Sequence, residues 1–136
     1  LLVTKQQFND DLKNNIIALR KAGLKNEEPR WFLAPYEWYN SAISRWTGEM
    51  GLKLINLTPG TGTGADYTTP DMKNYRSSDQ LVQRLAAFEE VTPGGLDGAI
   101  LLIHPGTAPE RTDKLWLRLG EIIDYYSAKG YNFKRL

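Results

Sequence analysis

The sequence contains no cysteine, and it has a single histidine, His104, among its 136 residues. Without cysteine the chain forms no disulfide and no thiolate metal site, although this absence does not identify a cellular compartment. A metal such as Zn²⁺ needs about three protein ligands in a catalytic site. One histidine and scattered carboxylates do not supply such a set, so we expect no metal site within this chain.

A strong charge bias and long apolar runs are also missing. The formal net charge is +1, so no basic surface points to a nucleic-acid partner. No apolar run is long enough to cross a membrane, and no basic segment followed by an apolar one indicates a signal peptide. The chain starts at Leu1 rather than at a methionine, which indicates a piece of a longer protein and leaves the compartment open.

The residues that are present alternate between helical and strand patterns. Thr4 and Gln7 predict a capping box for a first helix that ends near Gly23, and Asn40 or Ser41 begins a second helix. Apolar runs predict four strands, at about 31–34, 53–57, 98–104 and 131–135. Such alternation is typical of an α/β fold with parallel strands and outer helices, and we expect one partial domain over residues 1–136.

Two further helices are predicted in the second half of the chain, within residues 77–90 and 112–130. Apolar residues at helical spacing indicate which faces they bury. The apolar stripe of one helix consists of Leu81, Leu85 and Phe88, and the other helix carries Leu115, Leu119, Ile122 and Tyr126 on one face.

Polar residues collect where three predicted strands end. They are the segment 34–37, the pair Asp66 and Tyr67, and His104. Ligands of parallel α/β folds bind at the carboxyl ends of the strands, so we expect His104 to face the same crevice as Tyr36. The structural alternative is that His104 only caps a strand, and that Asp66 is a turn residue unless it has a partner.

A glycine-rich loop precedes Asp66. Gly60, Gly62 and Gly64 could supply positive φ angles in a bent loop, or they could hold a phosphate. The spacing does not match a dinucleotide-binding motif, and a phosphate site requires a helix that begins near Gly64. Pro70 argues against that helix.

Three segments together resemble the C-terminal half of the polysaccharide deacetylase (NodB-homology) domain of carbohydrate esterase family 4. Leu102, Ile103 and His104 match a Leu-x-His motif, which a helix and a closing Gly-Tyr-x-Phe segment at 130–133 follow. The segment "LAPYEWYN" is similar to the family's Arg-x-Pro-Tyr motif, and "ADY" takes the place of its Asp-Trp motif. The resemblance covers essentially the whole chain.

The resemblance implies metal-dependent hydrolysis of acetyl groups on a glycan by half of an irregular (β/α) barrel. In the complete enzyme a Zn-type divalent metal ion would polarise the acetyl carbonyl and activate water. His104 would be the general acid that protonates the leaving amine or alcohol, and the Tyr36 N–H would stabilise the oxyanion. The implied substrate-binding residues are Pro35, Trp38, Asp66, Tyr67 and Leu102, with Leu102 and Tyr67 as walls of the methyl pocket.

Two departures from the family pattern stand out. Leu33 occupies the position of the motif's arginine, which orients the catalytic aspartate, and Tyr67 replaces the tryptophan of the Asp-Trp motif. The family's base aspartate and His-x-x-x-His metal ligands lie upstream of the matched region. We therefore expect this chain alone to be inactive and to bind no metal, and the resemblance implies a secreted, periplasmic or cell-surface protein.

Two other functions stay open, and so does the question of what covers the half-barrel. The chain could be a non-catalytic carbohydrate-binding remnant that uses Trp38, Tyr39 and Tyr67, or a small phosphate-binding module that uses the glycine loop. Four parallel strands cannot close into a barrel, so at least one sheet edge and one apolar face would lie open. The expected partners are therefore the glycan and either the N-terminal half or a second copy of the chain.

Overall fold

A computed structural model describes residues 3–24 and 29–134 of the chain. The chain divides into two compact units, Leu1–Asn56 and Leu57–Leu136. The helices and strands in chain order are α1 (Lys5–Lys21), β1 (Trp31–Leu33), α2 (Ser41–Glu49), β2 (Lys53–Ile55), α3 (Ser78–Val91) and α4 (Leu119–Ala128). Three short 3₁₀ turns lie at Pro35–Glu37, Thr63–Tyr67 and Leu115–Arg118.

The first unit contains a parallel two-stranded sheet, which confirms a mixed α/β fold with parallel strands. Trp31, Phe32 and Leu33 of β1 are in register with Lys53, Leu54 and Ile55 of β2, and α2 connects the two strands. The ring of Phe8, on α1, lies 5.6 Å from that of Phe32 and 5.9 Å from that of Trp46. The buried apolar residues of this unit are Leu12, Ala34, Trp46 and Leu52.

Local capping explains where the helices begin. The Thr4 hydroxyl accepts the Gln7 N–H, and the Gln7 side chain accepts the Thr4 N–H, so the predicted capping box is confirmed. Asn40, rather than Ser41, caps α2 by accepting the Ile43 N–H. Gly23 adopts a φ of 113° just beyond the end of α1, as a helix-terminating glycine does.

The second unit is built around the buried face of α3. Leu81 and Leu85 have no exposed surface, as the helical spacing predicted. They form one cluster with Leu115, Ile122 and Tyr126. Leu101 and Ile103 pack against this cluster. The core thereby holds the segment that ends at His104.

The predicted fourth helix is divided, and one residue of its apolar face is partly exposed. Leu115–Arg118 forms a 3₁₀ turn with three residues per turn, and α4 starts only at Leu119. Leu115, Ile122 and Tyr126 are buried, whereas Leu119, at the start of α4, is partly exposed. Leu119 nevertheless lines the same cavity as Ile122 and Tyr126, on the predicted face.

The strand predictions are confirmed only in part. β1 and β2 fall within the predicted ranges 31–34 and 53–57, but Trp31 and Leu33 are partly exposed rather than buried. The structure assigns no strand to 98–104 or to 131–134, and residue 135 lies outside the described residues. Beside 98–104 the Thr58 N–H donates to the Ile100 carbonyl and begins a ladder, but the Ile100 N–H donates to the Thr58 hydroxyl rather than to a backbone carbonyl. Pro59 has no N–H to continue it.

Among the helices that the structure describes, none has both the length and the apolar character needed to span a membrane. These elements establish a mixed α/β fold with a parallel strand pair, but not one half of a barrel.

Candidate functional site

His104 is held by a buried carboxylate. Its ring nitrogen Nδ1 lies 2.6 Å from Asp66 Oδ1, and its backbone N–H donates to Asp66 Oδ2 at 2.8 Å. Asp66 has no exposed surface, whereas the His104 side chain is 36% exposed. One carboxylate therefore fixes both the backbone position and the ring orientation of His104. We call this pair the His104–Asp66 dyad.

The glycine-rich loop brings Asp66 to this position. Gly62 adopts a φ of 82° immediately before the 3₁₀ turn Thr63–Tyr67, which contains Asp66. A Cβ on Gly64 would lie 3.6 Å from Leu102 Cδ2, so the turn packs closely on the segment that leads to His104. Asp66 is therefore more than a turn residue. The structure describes no helix beginning at Gly64, which the phosphate-binding hypothesis required.

The dyad fixes which ring nitrogen of His104 is available to a ligand. An ionised carboxylate only accepts hydrogen bonds, so Nδ1 carries the proton that Asp66 accepts. Nε2 then faces no hydrogen-bond partner among the described residues. A histidine oriented by a carboxylate at Nδ1 presents Nε2 as an acid or a base.

Two more of the predicted residues lie beside the dyad. The ring of Tyr67 contacts that of His104 edge-on, with 5.9 Å between the ring centroids, and about half of the Tyr67 side chain is exposed. Leu102 is partly buried and packs against the turn at Gly64. The structure thus brings together His104, Asp66, Tyr67 and Leu102 from segments about 38 residues apart.

The other predicted residues, Pro35, Tyr36 and Trp38, lie in the first unit. Tyr36 and Glu37 adopt left-handed φ angles of 56° and 58°, which are strained for residues other than glycine. Asn56 Nδ2 donates to the Glu37 carbonyl at 3.2 Å. This turn leaves the side chains of Tyr36 and Trp38 86% and 84% exposed. The Tyr36 N–H donates to no acceptor among the described residues, and its role as an oxyanion donor stays a prediction.

The described residues do not fit the metal ion that the family resemblance implies. Within residues 3–24 and 29–134, no group of three or more histidine, aspartate or glutamate side chains is placed to hold a metal. His104 already directs Nδ1 to Asp66.

Arg111, close to this site, was not predicted from the sequence. Arg111 is completely buried, and its Nη1 donates to the Thr68 carbonyl at 2.7 Å, two residues after Asp66. Arg111 lies in the polar segment "PERTDK", immediately before the start of the last predicted helix. No periodicity or motif in the sequence indicates its burial.

In comparisons with known proteins, no family model and no curated protein sequence matches the chain.

Proposed function

We propose that this chain supplies the proton-transfer half of a hydrolase that removes acetyl groups from a glycan. The observation that supports the proposal is the His104–Asp66 dyad, in which a fully buried carboxylate orients the only histidine. The order of the motifs along the sequence supports the glycan deacetylase class. The proposal includes a specific fold for the chain, the C-terminal half of an irregular (β/α) barrel.

In the proposed reaction, His104 acts as the general acid. Its imidazolium form carries protons on both ring nitrogens, with Nδ1–H donating to Asp66 and Nε2–H directed to the substrate. When the bond between the acetyl carbon and the sugar nitrogen or oxygen breaks, Nε2 gives its proton to the leaving amine or alcohol. Water has by then added to the acetyl carbon and given a proton to the base of the N-terminal half, so the acetyl group leaves as acetate and His104 is left neutral.

The remaining roles follow the same proposal. Tyr67, which contacts the His104 ring, and Leu102, which packs against the turn at Gly64, would form the wall of the pocket for the acetyl methyl group. The Tyr36 N–H would donate to the oxyanion, with Pro35 holding its turn and Trp38 stacking on a sugar ring. The N-terminal half of the enzyme, rather than the described residues, would supply the base and the ligands of a divalent metal ion.

Replacement of His104 in the full-length enzyme tests the catalytic role. We expect His104→Ala to lower turnover by roughly 10²–10⁴-fold, the usual contribution of a general acid. Asp66→Asn should also lower turnover, with little change in KM. The measurement is acetate release from N-acetylated and O-acetylated oligosaccharides, with the exposed Gln83→Ala on α3 as the matched control. Unchanged deacetylation by His104→Ala would exclude His104 as the acid.

The exposed aromatic residues of the first unit favour a second candidate function, a non-catalytic carbohydrate-binding protein. Trp38 and Tyr39 are both exposed, as a sugar-stacking surface requires. Under this alternative, Trp38→Ala abolishes binding of oligosaccharides while His104→Ala leaves it unchanged. Under the deacetylase proposal, His104→Ala lowers turnover whatever its effect on binding.

The half-barrel fold that we propose also implies a partner. An open sheet edge and an uncovered barrel-lining face would associate with the N-terminal half or with a second copy of the chain. Light scattering of the purified chain tests this: a cooperatively folding monomer at high concentration, without a companion fragment, would contradict the open half-barrel.

A further inference from the structure

Arg111 combines complete burial with incomplete hydrogen bonding. Its Nη1 donates to the Thr68 carbonyl at 2.7 Å, and its guanidinium carbon lies 5.3 Å from the centre of the Tyr75 ring. Its Nε and Nη2 have no hydrogen-bond partner within the described part of the chain. Asp113 Oδ2 is 3.9 Å from Nη2, beyond hydrogen-bond distance. A buried arginine in this state is costly, and a well-packed apolar side chain would often serve stability as well or better.

The contact between Arg111 and Thr68 reaches the turn that contains Asp66. Thr68 follows that turn directly, and both its N–H and its hydroxyl donate to the Ala65 carbonyl, at 3.1 and 2.7 Å. Thr68 is itself completely buried. Arg111 therefore anchors Thr68, the residue that directly follows the turn containing Asp66.

Arg111 is also anchored to the loop that follows His104. Its own N–H donates to the Ala108 carbonyl at 3.1 Å. Lys114 Nζ donates to the same carbonyl at 2.6 Å, and to the carbonyl and hydroxyl of Thr107 at 3.0 and 2.8 Å. These bonds tie residues 107–114 into one closed loop, three residues beyond His104.

We infer that Arg111 is a positioning residue for the His104–Asp66 dyad, because it joins the loop after His104 to the peptide after Asp66. The inference rests on the proposed function for its catalytic consequence, but the positioning itself concerns the geometry of the dyad. The planar guanidinium group of Arg111 fixes the direction of its hydrogen bonds, whereas the ammonium group of a lysine would not.

The ring of His104 reports this positioning directly, because the chain has no other histidine. With ¹⁵N-labelled histidine, the ring nitrogen chemical shifts give the tautomer of the neutral imidazole. We expect the Nδ1–H tautomer to predominate in the unaltered chain. In Arg111→Lys and Arg111→Met we expect a several-fold rise of the Nε2–H tautomer or exchange-broadened ring signals, because Asp66 no longer holds Nδ1.

Arg118→Lys is the matched control. Arg118 forms ion pairs with Asp79 and Glu121 and touches neither segment of the dyad, so its replacement perturbs the second unit without disturbing His104. Folded Arg111→Lys with an unchanged His104 tautomer would overturn the inference. So would equal changes in Arg111→Lys and Arg118→Lys, because they would indicate general destabilisation.

A second measurement decides the question if the Arg111 variants do not fold. The guanidinium signals of Arg111 are compared between the unaltered chain and Asp66→Asn. A shift of these signals supports the coupling between Arg111 and the dyad, and their identity in both proteins overturns it. In the full enzyme, Arg111→Lys should lower kcat about tenfold with KM unchanged. If His104→Ala retained full activity while the tautomer shift occurred, the proposed function would fail and the positioning would stand.

Discussion

In the second unit the polar side chains that hold the dyad are buried and paired, whereas the predicted site residues of the first unit are exposed. Asp66 and Arg111 have no exposed surface, and each contacts a segment distant in the sequence. Tyr36 and Trp38, by contrast, lie mostly in solvent on a turn with left-handed backbone angles. Side-chain contacts therefore fix the geometry of the dyad in the second unit, and backbone conformation fixes that of the turn in the first unit.

This difference indicates which mutations should change the stability of each unit. A buried polar side chain depends on its partners, and removing one partner leaves the other with an unsatisfied group. A strained turn depends on the contacts that keep its backbone in place, and relieving the strain stabilises the fold. Mutations in the second unit should thus cost stability, whereas some in the first unit should increase it.

The largest expected effect concerns the two apolar cores. Leu85→Ala, at a position with no exposed surface, should lower the free energy of unfolding by about 3–5 kcal/mol. Leu12→Ala, in the less completely buried core of the first unit, should cost about 2 kcal/mol. Urea unfolding followed by circular dichroism measures both. Equal losses of stability in the two variants would contradict the expected difference between the two cores.

A pair of neighbouring glycines gives the next effect. Gly94 and Gly95 both have positive φ, but only a Cβ on Gly95 would collide with the Tyr131 hydroxyl, which accepts the Leu96 N–H. Gly94→Ala should cost about 1 kcal/mol from backbone strain alone. Gly95→Ala should cost about 2–3 kcal/mol because it also breaks that hydrogen bond. Thermal unfolding that ranks the two variants equally would contradict the role of Tyr131.

Relief of strain in the first unit should act in the opposite direction. Tyr36→Gly should raise the free energy of unfolding by about 0.5–1 kcal/mol, because glycine adopts a φ of 56° without strain and the Tyr36 side chain is exposed. Trp38 is equally exposed but has a φ of −92°, so Trp38→Gly should lower stability by about 0.5–1 kcal/mol. If both variants were destabilised, the turn would not be strained.

The smallest expected effect is a pH dependence in the second unit. Partial burial by itself raises the pKa of Asp113, but hydrogen bonds from Ser78 and the charges of Arg111 and Arg118 outweigh it and hold the pKa below its usual value. A lowered pKa in the folded state contributes stability above about pH 4, which is lost as the pH falls through the folded pKa.

Comparison with Asp113→Asn isolates this contribution. Because Asp113 is partly exposed, the expected difference in unfolding free energy at pH 6 is only on the order of 0.5 kcal/mol. It should shrink towards zero at pH 3, in urea unfolding at both pH values. A difference that stays constant with pH would show that the Asp113 charge is not what holds this part of the second unit.

How much the sequence predicted differs between helices and strands. The capping box at Thr4 and a cap at Asn40 or Ser41 were predicted, since each cap acts over three or four residues. The strand predicted at 98–104 is not formed, because a strand needs a neighbour that supplies a backbone ladder. The Ile100 carbonyl accepts the Thr58 N–H, but the Ile100 N–H donates to the Thr58 hydroxyl. The last helix begins later than predicted because residues 115–118 form a 3₁₀ turn.

The sequence by itself determined where α1, α2 and α3 form and the parallel strand pair of β1 and β2. Only the tertiary structure decided that Asp66 is buried against His104 and that Arg111 is buried against Thr68, two residues after Asp66. The physical reason is distance along the chain. Helix caps and apolar periodicity act between near neighbours, whereas the hydrogen bonds of His104 and Arg111 join residues 38 and 43 positions apart, which come together only when the core packs.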